Sequence, residues 1–124
     1  MKCRDLLLPA MLCFSLMASH AYAQINPFRS NRTGPTLSAT DLDLLGDSIR
    51  RLNTNPQLQV GARDDWSNPA TGSHGTSEVT KIFTSGKLRC HAMHHEISPQ
   101  GHTPFTPYDV TWCLASDGKW KIKS

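Results

Sequence analysis

Apolar positions follow two different spacings along the chain, one typical of a helix and the other typical of strands. Between residues 39 and 52 an apolar side chain recurs every three or four positions, and Asp and Arg lie between them. This spacing predicts one amphipathic helix over residues 39–52. Ser38 and Asp41 fit a capped helix start, in which a hydroxyl accepts from a backbone amide and an acid follows three residues later. The apolar positions are Leu42, Leu45, Ile49 and Leu52.

After residue 56 the chain divides into short segments rich in β-branched and aromatic residues, separated by turn formers. Residues 68–75 read as a long turn, and the Asp-Gly pair at residues 117–118 is a strong hairpin signal. One helix followed by a run of strands predicts an α+β domain, in which the N-terminal helix packs on a four- to five-stranded antiparallel meander sheet. The first predicted strand ends near Trp66. The other four span residues 76–83, 87–97, 106–114 and 119–123.

Two cysteines lie in this strand region. Cys90 and Cys113 flank a run of turn formers at residues 98–104, and they are equally far from the point between Gly101 and His102. Residues equally far from the centre of an antiparallel hairpin face each other, at about 4.5 to 5.5 Å, which a disulfide can span. We therefore predict that one disulfide, Cys90 to Cys113, staples two adjacent strands.

The N-terminal segment of the chain has the organisation of a signal peptide. Lys2 and Arg4 form a basic start, residues 6–18 are mostly apolar, and the small residues Ala21 and Ala23 fit a cleavage site. The apolar run is shorter than the roughly 20 residues that span a bilayer, so a membrane anchor fits less well. We therefore predict a signal peptide over residues 1–23.

Cleavage at this site predicts a mature chain that begins at Gln24 and is exported, to the periplasm, the outer membrane or the cell surface. Attachment of a lipid to Cys13 is the alternative, but the bulky Leu12 stands where the processing enzyme requires a small residue. Residues 24–37 are polar and broken by Pro and Gly, which predicts a flexible lead-in to a domain over residues 38–124. We expect no transmembrane span in the mature chain.

Charge and composition exclude some partners without identifying one. The formal net charge is +3 and falls by one when the predicted signal peptide is removed, which is too small to indicate nucleic acid. Arg29 and Arg32 are candidates for contact with an anionic lipid or glycan surface, and a solvated tail is the alternative. We expect no cofactor. The partner, whether a protein, a glycan or a lipid surface, is not identified by the sequence.

Residues 90–95 form an unusual cluster of Cys, His and Met side chains. Imidazole and sulfur are ligands that soft divalent metals prefer. On a strand His91 and His95 point to one face, whereas Cys90 and His94 point to the other. His91 and His95 are therefore the candidate ligands of a divalent metal. The alternative is a set of exposed histidines on the polar face of a strand.

A thiol enzyme is a further hypothesis, with Cys90 or Cys113 as nucleophile, a histidine as base and Asp109 orienting that histidine. It requires a free thiol, which a disulfide would remove.

Trp66, Trp112 and Trp120 are either a platform on which a glycan stacks or part of the core. Alternation along the strand makes Trp112 face away from Cys113. We expect core roles for Trp66 and Trp120.

Residues 66–75 (Trp-Ser-Asn-Pro-Ala-Thr-Gly-Ser-His-Gly), the two spaced cysteines and residues 117–120 (Asp-Gly-Lys-Trp) form a combined pattern. Over about residues 38–122 the chain resembles the C-terminal domain of the bacterial seventeen-kilodalton surface antigen family of outer-membrane proteins. The resemblance implies an envelope location in Gram-negative bacteria and surface antigenicity, and it brings no catalytic residues. His91 and Leu114 stand where members commonly have Arg.

These observations together predict a non-enzymatic exported envelope protein with a structural or partner-binding role. A histidine-based divalent metal binder and a thiol-dependent enzyme are the alternatives.

Overall fold

The computed structural model describes residue 28 and residues 36–102 and 105–123. One helix, α1, spans Ala39–Asn53, and five strands follow it in a single antiparallel sheet. Each strand pairs with the next one along the chain, so the predicted α+β meander is confirmed. The strands are β1 (Arg63–Asn68), β2 (Ser73–Ser85), β3 (Leu88–Ser98), β4 (Thr106–Leu114) and β5 (Trp120–Ile122), with a short 3₁₀ turn at Pro99–Gly101.

Helix α1 begins at the predicted cap. The amide of Asp41 donates to Ser38 Oγ at 3.1 Å, and the amide of Ser38 donates to Asp41 Oδ2 at 2.8 Å. These reciprocal bonds satisfy two amides that lack partners within the helix. The apolar stripe of α1 is buried against the sheet, chiefly over β1 and β2. Its buried apolar members are Leu45, Ile49 and Leu52.

The sheet has one face covered by α1 and one open face. The covered face supplies most of the apolar core, because side chains at alternate positions of each strand point towards the helix. The disulfide lies on the open face, since Cys90 points away from the residues that pack under α1. The buried apolar strand residues under the helix are Trp66, Val79, Met93, Ile97 and Val110.

Strands β3 and β4 have the register that the cysteine positions predict. Cys90 pairs with Cys113, their Cα atoms are 4.1 Å apart, and a disulfide joins them. His91 pairs with Trp112, so Trp112 faces away from the disulfide and towards the helix side, as alternation predicts. The disulfide therefore joins the start of β3 to the end of β4.

The connection between β1 and β2 is shorter than predicted. β1 continues to Asn68 and β2 already begins at Ser73, so the long turn expected over residues 68–75 is wrong. The amides of Thr71 and Gly72 both donate to the carbonyl of Asn68, at 3.2 and 2.8 Å. Gly72 adopts φ 77°, a conformation that favours glycine, and closes this tight turn.

Phe28 belongs to the core, although it lies within the segment predicted as a flexible lead-in. It is buried, and its ring contacts His95 and Tyr108 edge-on with centroids 5.2 and 5.4 Å apart. The predicted signal peptide, residues 1–23, lies outside the described residues, as does most of the lead-in. Within the described part of the chain, no helix has the length and apolar character needed to cross a membrane.

Candidate functional site

A cleft of about 840 Å³ lies between α1 and the β4–β5 end of the sheet. It forms because α1 packs mainly on β1 and β2 and leaves the later strands partly uncovered. Leu42 and Ile49 line it from the helix, and Trp112 and Trp120 line it from the strands. A concave site of this size with aromatic walls suits a small ligand or a short segment of a polymer.

The rim of the cleft carries charges of both signs. Arg50 and Lys119 contribute cations, and Asp43 and Asp47 contribute carboxylates. The rim therefore offers hydrogen-bond donors and acceptors without a strong net charge. Gly46 lines the cleft on the helix side, and a Cβ added there would meet nothing from another part of the fold within 4 Å. The missing side chain thus leaves space in the cleft.

The three tryptophans differ in their positions. Trp66 is buried, which confirms its predicted core role. Trp120 was also expected in the core, but it is only partly buried and lines the cleft together with Trp112. The indole Nε1 of Trp112 is buried and has no hydrogen-bond partner among the described residues. Trp112 and Trp120 therefore line the cleft, and the indole N–H of Trp112 lacks a hydrogen-bond partner among the described residues.

His91 supports the Trp120 wall. Its Nδ1–H donates to Asn53 Oδ1 at 2.7 Å, and its ring stacks on the indole with centroids 4.3 Å apart and an interplanar angle of 25°. Burial, together with the charge of Arg89, lowers the pKa of His91, so the imidazole is largely neutral at pH 7. A neutral ring between the end of α1 and Trp120 holds the indole at the cleft wall.

His95 lies further along the same face of β3 and is fully enclosed. Its Nδ1 is 2.7 Å from Ser77 Oγ, and Phe28 covers the ring. Burial and the neighbouring His94 lower the pKa of His95 to about 4, although Asp109 opposes the shift. Its Nε2 is buried and has no hydrogen-bond partner in the described part of the chain. His95 is therefore a neutral core residue at pH 7.

The structure places the two candidate metal ligands on one face but not together. His91 and His95 are four residues apart on an extended strand, about 13 Å between Cα atoms, and each is bonded to a different side chain. They are 3% and 0% exposed, so the alternative of exposed histidines on a polar face is wrong. Residues 28, 36–102 and 105–123 contain no group of three or more His, Cys, Asp or Glu side chains that could hold a metal ion. The geometry gives the metal-binding hypothesis no support.

The elements of the thiol-enzyme hypothesis are also separated. Cys90 and Cys113 are joined, so neither sulfur is a thiolate. Asp109 does bond a histidine, since its carboxylate lies 2.7 Å from His94 Nδ1, and this hydrogen bond raises the pKa of His94. His94 lies four residues from Cys90, about 13 Å along the strand. The Asp109 side chain is 84% exposed, which makes the pair a surface ion pair.

The side chain of Asp41 is buried, and it forms more hydrogen bonds than the helix cap that the sequence predicts. Besides the amide of Ser38, its carboxylate accepts from Asn68 Nδ2 at 2.7 Å, Thr71 Oγ1 at 2.7 Å and Ser73 Oγ at 2.9 Å. Burial acts to raise the pKa of this carboxyl, but these hydrogen bonds outweigh it and lower the pKa to about 2. The carboxylate therefore ties the start of α1 to the β1–β2 turn.

Three of these donors belong to residues 66–75, one of the segments on which the family resemblance rests. Gly75 in the same segment has a structural reason as well. A Cβ there would lie 2.7 Å from the carbonyl oxygen of Glu96 and 2.8 Å from Trp66 Nε1. The absent side chain lets Trp66 lie across β2. A signal for this network was present in the sequence, as a set of small polar side chains concentrated in one turn.

No known protein family, curated protein or solved structure matches the chain. The resemblance to the bacterial surface antigen family therefore stays a prediction that rests on the residues named above. The fold and the site define a class: a disulfide-stapled α+β domain with an aromatic-walled cleft between its helix and the end of its sheet.

Proposed function

We propose that this chain is a non-enzymatic exported envelope protein, similar to the bacterial surface antigen family, whose cleft binds a neutral carbohydrate. Export is supported by the signal-like N-terminal segment and by a disulfide, which persists in oxidising compartments. The observation that carries the binding function is the pair Trp112 and Trp120 at the wall of one cleft, below a polar rim.

A carbohydrate fits this combination of surfaces better than the other partners. One side of a pyranose ring is lined by C–H groups that pack on an indole, whereas its hydroxyls need both donors and acceptors. Trp112 and Trp120 supply the first surface, and Arg50 and Asp43 supply donors and acceptors at the rim. Because two cations and two carboxylates balance at the rim, the cleft has no net charge that would favour a strongly charged ligand over a neutral one.

The non-enzymatic part of the proposal is supported by the state of the potential nucleophiles. Both cysteines of the domain are consumed in the disulfide. Ser77 lies within hydrogen-bond distance of His95, as a hydroxyl and its general base would, but both side chains are fully buried. A substrate in the cleft would not reach this hydroxyl.

The cleft is tested by filling it. We would titrate the exported protein with a soluble N-acetylglucosamine oligosaccharide and follow the indole N–H resonances by NMR. Gly46→Met places a side chain in the cleft and also improves helix propensity. Thr40→Met adds a similar side chain at an exposed position of the same helix outside the cleft and is the matched control.

We expect the resonances of Trp112 and Trp120 to shift in the wild type and in Thr40→Met, and to stay unchanged in Gly46→Met. No shift in the wild type would refute carbohydrate binding. Equal shifts in Gly46→Met would place the binding site elsewhere.

Export is tested separately by intact-mass spectrometry of the protein recovered from the envelope of a producing bacterium. The expected N-terminus is Gln24. A diacylglyceryl group on Cys13 would contradict cleavage after Ala23 and restore the lipoprotein alternative.

A further inference from the structure

The β2–β3 hairpin extends beyond the strands on either side of it. β1 pairs with β2 only as far as Glu78, and β4 pairs with β3 only from Cys90 onward. Residues 84–89 therefore form a two-stranded projection, and residues 81–83 lie beside it on an edge of the sheet that β1 leaves unpaired. Its two-residue turn begins at Gly86, whose φ of 60° suits a tight hairpin turn.

This projection is cationic. It contains no acidic residue and carries Lys87 and Arg89, and Lys81 lies on the adjoining edge of β2. Lys123, just after β5, joins them, because its Nζ donates to Ser85 Oγ at 2.9 Å. None of these four cations forms an ion pair with a described residue. Their charges are therefore available to an external anionic partner.

The same region exposes two apolar side chains, Ile82 and Leu88, each of which is 42% exposed. Leu88 belongs to the projection, whereas Ile82 lies on the adjoining edge of β2 and points to the opposite face. Leu88 stands next to the turn, between Lys87 and Arg89 in the sequence. Cations combined with exposed apolar side chains are typical of protein surfaces that lie on anionic bilayers, where the cations meet headgroups and the apolar groups enter the interface.

We infer that this projection docks on the surface of an anionic phospholipid bilayer, with its cations on the headgroups and Leu88 in the interface. An acidic protein would also attract the cations, but it would not require an apolar side chain at the tip of a cationic turn. The hairpin is separate from the cleft, so this inference goes beyond carbohydrate binding and does not depend on it.

Vesicle flotation tests the inference with the whole exported protein. The probes are vesicles of phosphatidylcholine alone and of phosphatidylcholine mixed with phosphatidylglycerol. The test variant is Lys87→Gln with Arg89→Gln, and the control is Arg29→Gln with Arg32→Gln, which removes the same charge from the lead-in. Each cation near an anionic bilayer changes the partition coefficient about fivefold, so the hairpin variant is expected to bind about 25-fold more weakly. The control is expected to bind like the wild type.

Leu88→Ser separates apolar insertion from charge. We expect it to weaken binding several-fold even at high salt, where the contribution of the cations is screened. Equal binding of the wild type to neutral and anionic vesicles would overturn the inference, as would wild-type binding by the hairpin variant. Loss of binding in the Arg29 and Arg32 control alone would assign the lipid contact to the lead-in. Gly46→Met is expected to keep full lipid binding, which distinguishes a failure of the cleft from a failure of the hairpin.

Discussion

Acidification from pH 7 to pH 5 is expected to destabilise this fold, chiefly through His95. The pKa of its imidazole is about 4 in the folded protein, because the ring is buried beside Ser77 and near the charge of His94, against the opposing effect of Asp109. The pKa is about 6.5 in an unfolded chain. Between these two values the unfolded state binds a proton that the folded state does not, so the free energy of unfolding decreases as the pH falls. At pH 5 the decrease is about 2 kcal/mol relative to pH 7.

Urea unfolding at the two pH values measures this loss. We expect His95→Gln to remove most of the pH dependence, because glutamine does not titrate and is able to bond Ser77. His102→Gln, which changes an exposed imidazole, is the control and is expected to behave like the wild type. His91 acts in the same direction as His95 because its pKa is also lowered, whereas His94, whose pKa is raised, contributes stability that is lost as the pH rises.

Two results would refute the reasoning about His95. One is a wild type that is equally stable at both pH values. The other is a His95→Gln variant that loses as much stability as the wild type, since the titrating group would then lie elsewhere.

Four further perturbations have clear expected outcomes. Gly75→Ala should lower the free energy of unfolding by roughly 2 kcal/mol or more, because the added Cβ would clash with neighbouring atoms. Gly46→Ala should raise it by up to about 1 kcal/mol, and a thermal melt shifted in the opposite direction would contradict the prediction for that variant. Asp41→Asn should lower the free energy of unfolding by about 2 kcal/mol at pH 7. The variant should also lack the loss of stability that the wild type shows as the pH falls from 3.8 towards 2. If urea titrations find the same loss in the variant, the Asp41 carboxylate is not the group that causes it. Cys90→Ala with Cys113→Ala should lower the free energy of unfolding by about 3 kcal/mol for a sequence separation of 23 residues and lower the melting temperature by roughly 15 °C. Two titratable thiols in the denatured mature protein, from which Cys3 and Cys13 have been removed with residues 1–23, would disprove the bridge.

Local patterns explain why the order of elements and one register were predictable. Helix α1 has both an apolar stripe and a capping box in consecutive residues, so its start required no knowledge of the tertiary structure. The β3–β4 register follows from the symmetry of Cys90 and Cys113 about a single turn. In both cases the determining residues lie close together in sequence or are related by one turn.

The burial of the histidines and the cleft could not be derived in this way. Which face of β3 is covered depends on where α1 crosses the sheet, and no local pattern specifies that position. A weaker signal was available, because His91 and His95 share their face with Met93 and Ile97, two side chains that favour the core. The cleft depends on the same crossing, since Trp120 would be buried if α1 lay over β4 and β5.

Residues 66–75, one of the segments on which the family resemblance rests, have a structural explanation that limits what similarity across them implies about function. Within residues 66–75, polar side chains hold the carboxylate of Asp41, and Gly75 lets an indole lie across the neighbouring strand. Proteins that share this segment are therefore expected to share the helix position and the turn, because the same contacts would determine both. The segment contributes no residue to the cleft lining. Similarity across residues 66–75 consequently reports the fold. Residues 117–120, the other segment of the pattern, do contribute Trp120 to the cleft, so ligand differences between such proteins should follow substitutions at cleft positions outside the pattern, such as Gly46.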